Sequence, residues 1–131
     1  MRNVENMAKC RGYIPDSNCW VVGNLITDGS LCMIHNKSGD KYIVDNDKVC
    51  HSTTKNDIDG KEIFEGDILI CVNKHTFISK MGLVIWNNIR LAFEVIDNAG
   101  DPIPCAWTEC DLKVVGTKYF DKHLLKHTFE N

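Results

Sequence analysis

Short apolar runs separated by turn-forming residues set the tightest limit on what this chain can fold into. Asp28-Gly29, Ser38-Gly39, Asp59-Gly60, Glu65-Gly66, Asn87-Asn88 and the cluster at 97–102 interrupt segments rich in β-branched and aromatic residues. Glycine, asparagine and aspartate tolerate the backbone angles of tight turns, while β-branched and aromatic side chains suit a pleated, half-buried surface. The alternation specifies an all-β or mainly β protein of short antiparallel strands.

The spacing predicts strands over 20–26, 31–35 and 41–44, with Asp28-Gly29 in a tight primed hairpin turn. Residues 45–58 are polar and read as an irregular connector. After a short extended piece at 61–64, strands are expected at 68–72, 81–86, 89–96, 105–109 and 112–119. In the clearest of them Ile89, Leu91, Phe93 and Val95 alternate with Arg90, Ala92 and Glu94, which places the first four on the buried face. Asp121 is positioned to cap a short C-terminal helix carrying Leu124, Leu125 and Lys126, with lysine and histidine near its negative end. The expected organisation is an N-terminal β-hairpin region plus connector over 1–58, then an SH3-like, partly open barrel with the C-terminal helix over 59–131. Together they make one compact unit.

The stretch D-G-K-E-I-F-E-G-D-I-L-I-C at 59–71 has the look of a catalytic or Mg²⁺-binding loop, with Glu62, Glu65 and Asp67 close together. Its physical chemistry favours a corner instead. Gly66 can adopt left-handed angles, and Asp67 can fold its carboxylate onto nearby backbone N–H groups as the chain swings into the next strand. Gly60, Ile63, Glu65, Gly66 and Asp67 are therefore expected to be structural rather than catalytic.

A net charge of -3 argues against a dedicated binder of nucleic acid or of an anionic membrane. The N-terminal M-R-N-V-E-N-M-A-K-C lacks a secretory core, so the seven cysteines are expected as thiols in a cytoplasmic chain. Cys32 and His35 would point to opposite faces of a strand, Cys50 and His51 are adjacent, and Cys105 and Cys110 stand five apart. With no C-x-x-C pair, no metal and no other cofactor is expected. No local signature joins a cysteine to His51, His75, His123 or His127, so no catalytic residue is assigned and the chain reads as a non-enzyme. The favoured class is a protein-interaction or assembly module that self-associates as a homo-oligomer, since the candidate edges 31–35 and 81–86 carry no lysine. The alternative is a single-stranded nucleic-acid-binding barrel, built on Trp86, Phe93, Trp107, Tyr119 and Phe120 with Lys113, Lys118, Lys122 and Lys126.

D-I-D-G-K-E-I-F-E-G-D-I at 57–68 resembles the signature of the YopX family, small proteins of bacteriophages and prophages. C-R-G-Y at 10–13, W-V-V-G-N-L-I at 20–26 and V-V-G-T-K-Y-F-D-K-H-L-L at 114–125 resemble its other segments, in order. The chain departs from the pattern at 50–55, where relatives carry an aromatic residue followed by Thr-Gly, and at 120–122, where they carry Glu-Asn-Pro. The resemblance implies a β-rich fold, a phage- or prophage-encoded gene acting in the cytoplasm of a bacterial host, and a structural role for Gly116 in the closing Gly-x-x-Tyr segment. It implies no reaction.

Overall fold

In the computed structural model the described residues are 9–129, and they form a mainly β, antiparallel structure with two short helices. Two compact units meet inside a strand, between Ser52 and Thr53, six residues before the expected boundary. Among the described residues no helix is long and apolar enough to cross a membrane.

The first unit contains β1 (Cys10–Ile14), β2 (Cys19–Asp28), β3 (Leu31–His35), β4 (Lys41–Val44) and the start of β5 (Val49–Asn56). They pair in the order β4-β3-β2-β1-β5, each antiparallel to its neighbour. Cys10, Ile34 and Val44 are buried at its centre, with Ile14, Val21, Leu25 and Cys32 packed around them. The Arg11 guanidinium lies 4.5 Å from the centre of the Trp20 ring, which also meets Tyr13 edge-on. The β2–β3 turn has Gly29 and Ser30 as its central residues, with positive φ only at Gly29 (62°). That is the type II′ pattern, one residue later than expected for Asp28-Gly29.

The expected connector at 45–58 needs correction, because Val49–Asn56 is strand β5. The segment looks polar, yet Ser52 and Thr53 are buried along with Cys50. Thr53 donates its hydroxyl to the Ile63 carbonyl at 2.7 Å, so burial costs little. Residues 45–48 stay as a turn, closed by Lys48 N–H on the Asp45 carbonyl at 3.0 Å, and Asp57 and Ile58 begin the next loop. Strand β1 had no counterpart in the expected strand set.

The second unit continues β5, pairs it with β6 (Glu62–Phe64), and builds a sheet from β7 (Asp67–Asn73), β8 (Ser79–Asn87), β9 (Ala92–Ile96) and β10 (Cys110–Thr117). The order β10-β7-β8-β9 leaves the sheet open, with β9 and β10 at its margins. Its core gathers Ile63, Leu69, Cys71, Val84, Val95 and Leu112, against which Phe93, Trp107 and Val114 pack. Helix α1 (Ala106–Glu109) and helix α2 (Lys122–Phe129) complete it.

Four expectations fail in these elements. Residues 106–109 are helical where a strand was expected at 105–109, because Cys105 takes a left-handed φ of 52° and its carbonyl receives the Glu109 N–H at 2.7 Å. β9 begins at Ala92, not Ile89, so Ile89 and Leu91 are 94% and 72% exposed rather than buried. The alternating pattern ran on through a turn. The Asp121 carboxylate bonds backward to Thr117 N–H at 2.9 Å, and the first turn of α2 is closed by Leu124 N–H on the Asp121 carbonyl. The side chains of Lys126 and His127 lie outside the described residues. Finally, 31–35 and 81–86 are interior rather than edge segments, flanked by β2 and β4 and by β7 and β9 respectively.

Candidate functional site

The 57–68 segment is built around Asp57. Its Oδ1 accepts from Asp59 and Lys61 N–H, both at 2.9 Å, while Gly60 supplies the positive φ (82°) of the loop. Its Oδ2 accepts Val114 N–H at 3.0 Å, and Ile58 N–H adds a bond to the Leu112 carbonyl at 2.9 Å. Burial alone would raise the Asp57 pKa, but the bonds from Val114, Lys61 and Asp59 outweigh it and hold the carboxyl below its usual range. Ile63 is fully buried in the core. Glu65 and Gly66 form the turn into β7. Gly66 has φ 89°, donates to the Val84 carbonyl and accepts from Lys118 N–H, both at 2.9 Å. Asp67 is wholly buried, and its Oδ2 accepts Phe64 N–H at 2.8 Å. Gly116 follows the bulge at Val115 in the β10–β7 ladder, where an added Cβ would meet the Asp121 carboxylate at 2.7 Å.

Both margins of this sheet are covered from within the unit. Asp57 and Ile58 occupy the Val114 N–H and the Leu112 carbonyl on the outward side of β10. On β9, the Val95 carbonyl accepts Ile103 N–H at 2.8 Å, and the Phe93 carbonyl accepts the Trp107 indole N–H at 3.0 Å. Occupied backbone groups cannot recruit another strand at those positions.

What the sheet does offer is a pair of apolar loops at the two ends of β8. In the β7–β8 loop, Asn73 Oδ1 accepts from His75 and Thr76 N–H at 2.8 and 3.0 Å. In the β8–β9 loop, Asn87 Oδ1 accepts from Ile89 and Arg90 N–H at 2.9 and 3.1 Å. Four residues after each asparagine stands a large apolar residue with positive φ, Phe77 (59°) and Leu91 (54°). Phe77 is 78% exposed and neighbours exposed Ile78, and Leu91 shares its loop with exposed Ile89. Such angles are uncommon for bulky side chains.

Beside β9 lies a shallow cleft of about 250 Å³, lined among others by Phe93, Pro102, Ile103, Pro104 and Trp107. Arg90 and Glu94 form its polar side, 3.2 Å apart, with the Glu94 carboxylate also receiving Asn87 Nδ2 at 2.8 Å. Cys105 is exposed at its border. The buried Cys71 thiol is pushed up to about 12 by desolvation, and Cys110 is raised by burial and by the acids beside it. Thiols held so high are poor nucleophiles at neutral pH. An exposed pair joins His75 Nε2 to Glu109 Oε2 at 2.7 Å. Among the described residues no three His, Cys, Asp or Glu side chains are grouped to hold a metal.

The YopX protein family matches residues 8–126, nearly the whole chain. The chain belongs to the YopX family. No curated protein matches it.

The span of the YopX match takes in the Asp57 loop, both apolar loops and the cleft. Of the aromatic set singled out in the sequence, Phe93 and Trp107 pack on the core and Trp86 meets Phe93 edge-on at 4.9 Å. Phe120 is exposed, and the Lys118 ammonium lies 5.2 Å from the centre of the Tyr119 ring. The sequence reading missed Asp57, although the residue stood inside the family signature. It also missed Phe77 and misplaced Leu91. The available signal was an asparagine followed four residues later by a large apolar residue, at 73–77 and again at 87–91.

Proposed function

We propose that this YopX-family protein is a non-enzymatic protein-interaction or assembly module, phage- or prophage-encoded and acting in the cytoplasm of a bacterial host. The second unit serves in this reading as an SH3-like, partly open barrel that presents loops rather than strand edges. The observation that carries the reading is the build of those loops. Phe77 and Leu91 are exposed, held by asparagine side-chain bonds, and placed at backbone angles that cost bulky residues about 1 kcal/mol or more. Stability alone would favour glycine or asparagine at both positions. Exposed apolar side chains on rigid supports are what a protein partner can bury.

The test is affinity capture from bacterial cells carrying the phage or prophage gene, with and without nuclease. Leu91→Asp and Phe77→Asp proteins that remain folded serve as controls. Partners retained after nuclease treatment and lost with the substitutions are the expected result. Capture that disappears with nuclease and is indifferent to Phe77 and Leu91 would favour the single-stranded nucleic-acid reading, supported by the Lys118–Tyr119 contact and exposed Phe120.

A further inference from the structure

The two apolar loops share one build but not one support. In the Leu91 loop the bonds stay within the hairpin: Asn87 Oδ1 receives Ile89 and Arg90 N–H, and Glu94 takes Asn87 Nδ2 and the Arg90 guanidinium. The Phe77 loop is closed by Asn73 in the same way, with Phe77 N–H on the Asn73 carbonyl at 2.8 Å. It is also tied to helix α1, 34 residues further along the chain. Lys74 N–H donates to the Glu109 carbonyl at 2.8 Å, the Glu109 carboxylate meets His75 Nε2 at 2.7 Å, and Lys74 Nζ reaches the Thr108 carbonyl at 3.5 Å. A bulky residue at positive φ persists only where its surroundings over-determine it. For Phe77 those surroundings include α1.

α1 cannot hold that place by itself. Its four residues make a single turn, and an isolated turn is unstable because nucleation fixes several dihedrals for one bond. Its N-terminal end is set by Cys105, whose carbonyl accepts Thr108 and Glu109 N–H at 3.2 and 2.7 Å. Its middle is pinned by the Trp107 indole N–H on the Phe93 carbonyl at 3.0 Å, and Ala106 is buried in the core. Cys105, Ala106 and Trp107 are also wall residues of the cleft. One end of the helix therefore builds the cleft, and the other end builds the Phe77 loop.

We infer that α1 is a brace coupling the cleft wall to the Phe77 loop, so that a change at Trp107 alters how firmly Phe77 is presented. This rests on the interaction-module reading and supplies a regulation for it. Glu109 is the positioning residue, acting on Phe77 through His75 and Lys74. The Leu91 loop, closed within its own hairpin, is independent of Glu109. Of the two apolar contact points one is adjustable and the other is fixed.

Amide-resolved hydrogen exchange on the full chain tests this through a double-mutant cycle. Glu109→Ala should speed exchange at His75, Thr76 and Phe77 by roughly two- to fivefold and leave Ile89 and Arg90 unchanged. Trp107→Phe keeps a ring in place but removes the indole bond, and should speed the same three amides by roughly fivefold. In the double variant the two effects should combine to less than their product, because both act through α1. Thr108→Gly, which loosens the helix from an exposed position, should reproduce the Trp107→Phe result and replaces it should that variant fail to fold. Unchanged exchange at 75–77 in a folded Trp107→Phe protein, or effects that simply multiply, would overturn the inference. So would a uniform acceleration that includes the core amides of Leu69 and Val84, which marks plain loss of stability. Coupling that fails in a protein whose captured partner depends on Phe77 overturns this inference and leaves the interaction-module reading standing. Coupling that holds in a protein whose partners ignore Phe77 and Leu91 does the reverse.

Discussion

Three loops of this molecule share one build, and two others share a different one. At 36–40, 57–61 and 97–101, an Asn or Asp Oδ1 accepts the N–H groups two and four residues later. In each, the residue after the midpoint is a glycine with φ of 90°, 82° or 85°. At 73–77 and 87–91, the asparagine accepts from residues two and three later, and the positive φ falls on Phe77 and Leu91. The first group is relaxed, because glycine has no Cβ to clash. The second is strained and exposes apolar surface. Local stability explains the glycine loops, whereas the apolar ones carry the strain and exposure on which the proposed interaction role rests. Within the relaxed group Asp57 again differs, since it is buried and its second oxygen reaches β10, whereas Asp97 is half-buried and its second oxygen lies 4.0 Å from the Lys80 ammonium.

The largest effect should come from breaking that last distinction. Asp57→Ala leaves the N–H groups of Val114, Asp59 and Lys61 without their acceptor and is expected to cost about 3 kcal/mol or more in urea unfolding. Asp97→Ala removes the equivalent carboxylate where it is only half-buried and, among the described residues, makes no hydrogen bond to a distant strand, and should cost about 1 kcal/mol. Equal losses would erase the difference between the two loops.

Asp57 also sets a pH dependence. Its carboxyl is held below the ordinary value, so the folded state favours the charged form. The stabilisation is fully present above the unfolded value of about 3.9 and is lost as pH falls through the lower folded value. The stability difference between wild type and Asp57→Asn should therefore be constant near neutrality and shrink below about pH 4. A difference that widens on acidification would contradict the assigned role.

Gly66→Val tests a glycine whose surroundings are occupied. Its φ is 89°, and a Cβ there would meet the Tyr119 ring at 3.3 Å. Strain and crowding together should cost about 2 kcal/mol, read as a lowered Tm. An unchanged Tm would remove Gly66 from the structural corner.

The smallest effects compare the two loop types directly. Gly100→Ala, where the added Cβ meets open space, should lose about 1 kcal/mol through backbone strain alone. Leu91→Gly should change stability by less than about 1 kcal/mol, toward the stabilising side, because it relieves the same strain. A clear loss of stability in Leu91→Gly would mean that Leu91 contributes to the fold rather than to a partner.

Much of this fold was legible because its turns are encoded within five residues. The glycine loops at 36–40, 57–61 and 97–101 are closed by bonds between near neighbours, so composition alone marks them, and β3 and β4 match the expected strands to the residue. Strand β5 was hidden because its buried Ser52 and Thr53 are polar, and polarity stops predicting exposure once a hydroxyl finds a carbonyl to bond. Ile89 and Leu91 were misplaced for the opposite reason. Their alternation with Arg90 matches a strand, and nothing but the Asn87 side chain tells that the strand has ended.

Sequence by itself determined the mainly β character, the family and the places of the glycine-marked turns, since each depends on residues that are neighbours along the chain. Tertiary structure alone decided that β3 and β8 are interior, that β9 and β10 are covered by Trp107 and by Asp57 with Ile58, and that a loop aspartate bonds a strand 57 residues away. Those outcomes depend on which strands pair. Pairing is fixed by burying one apolar face across the whole sheet, a sum over distant residues that no local pattern contains.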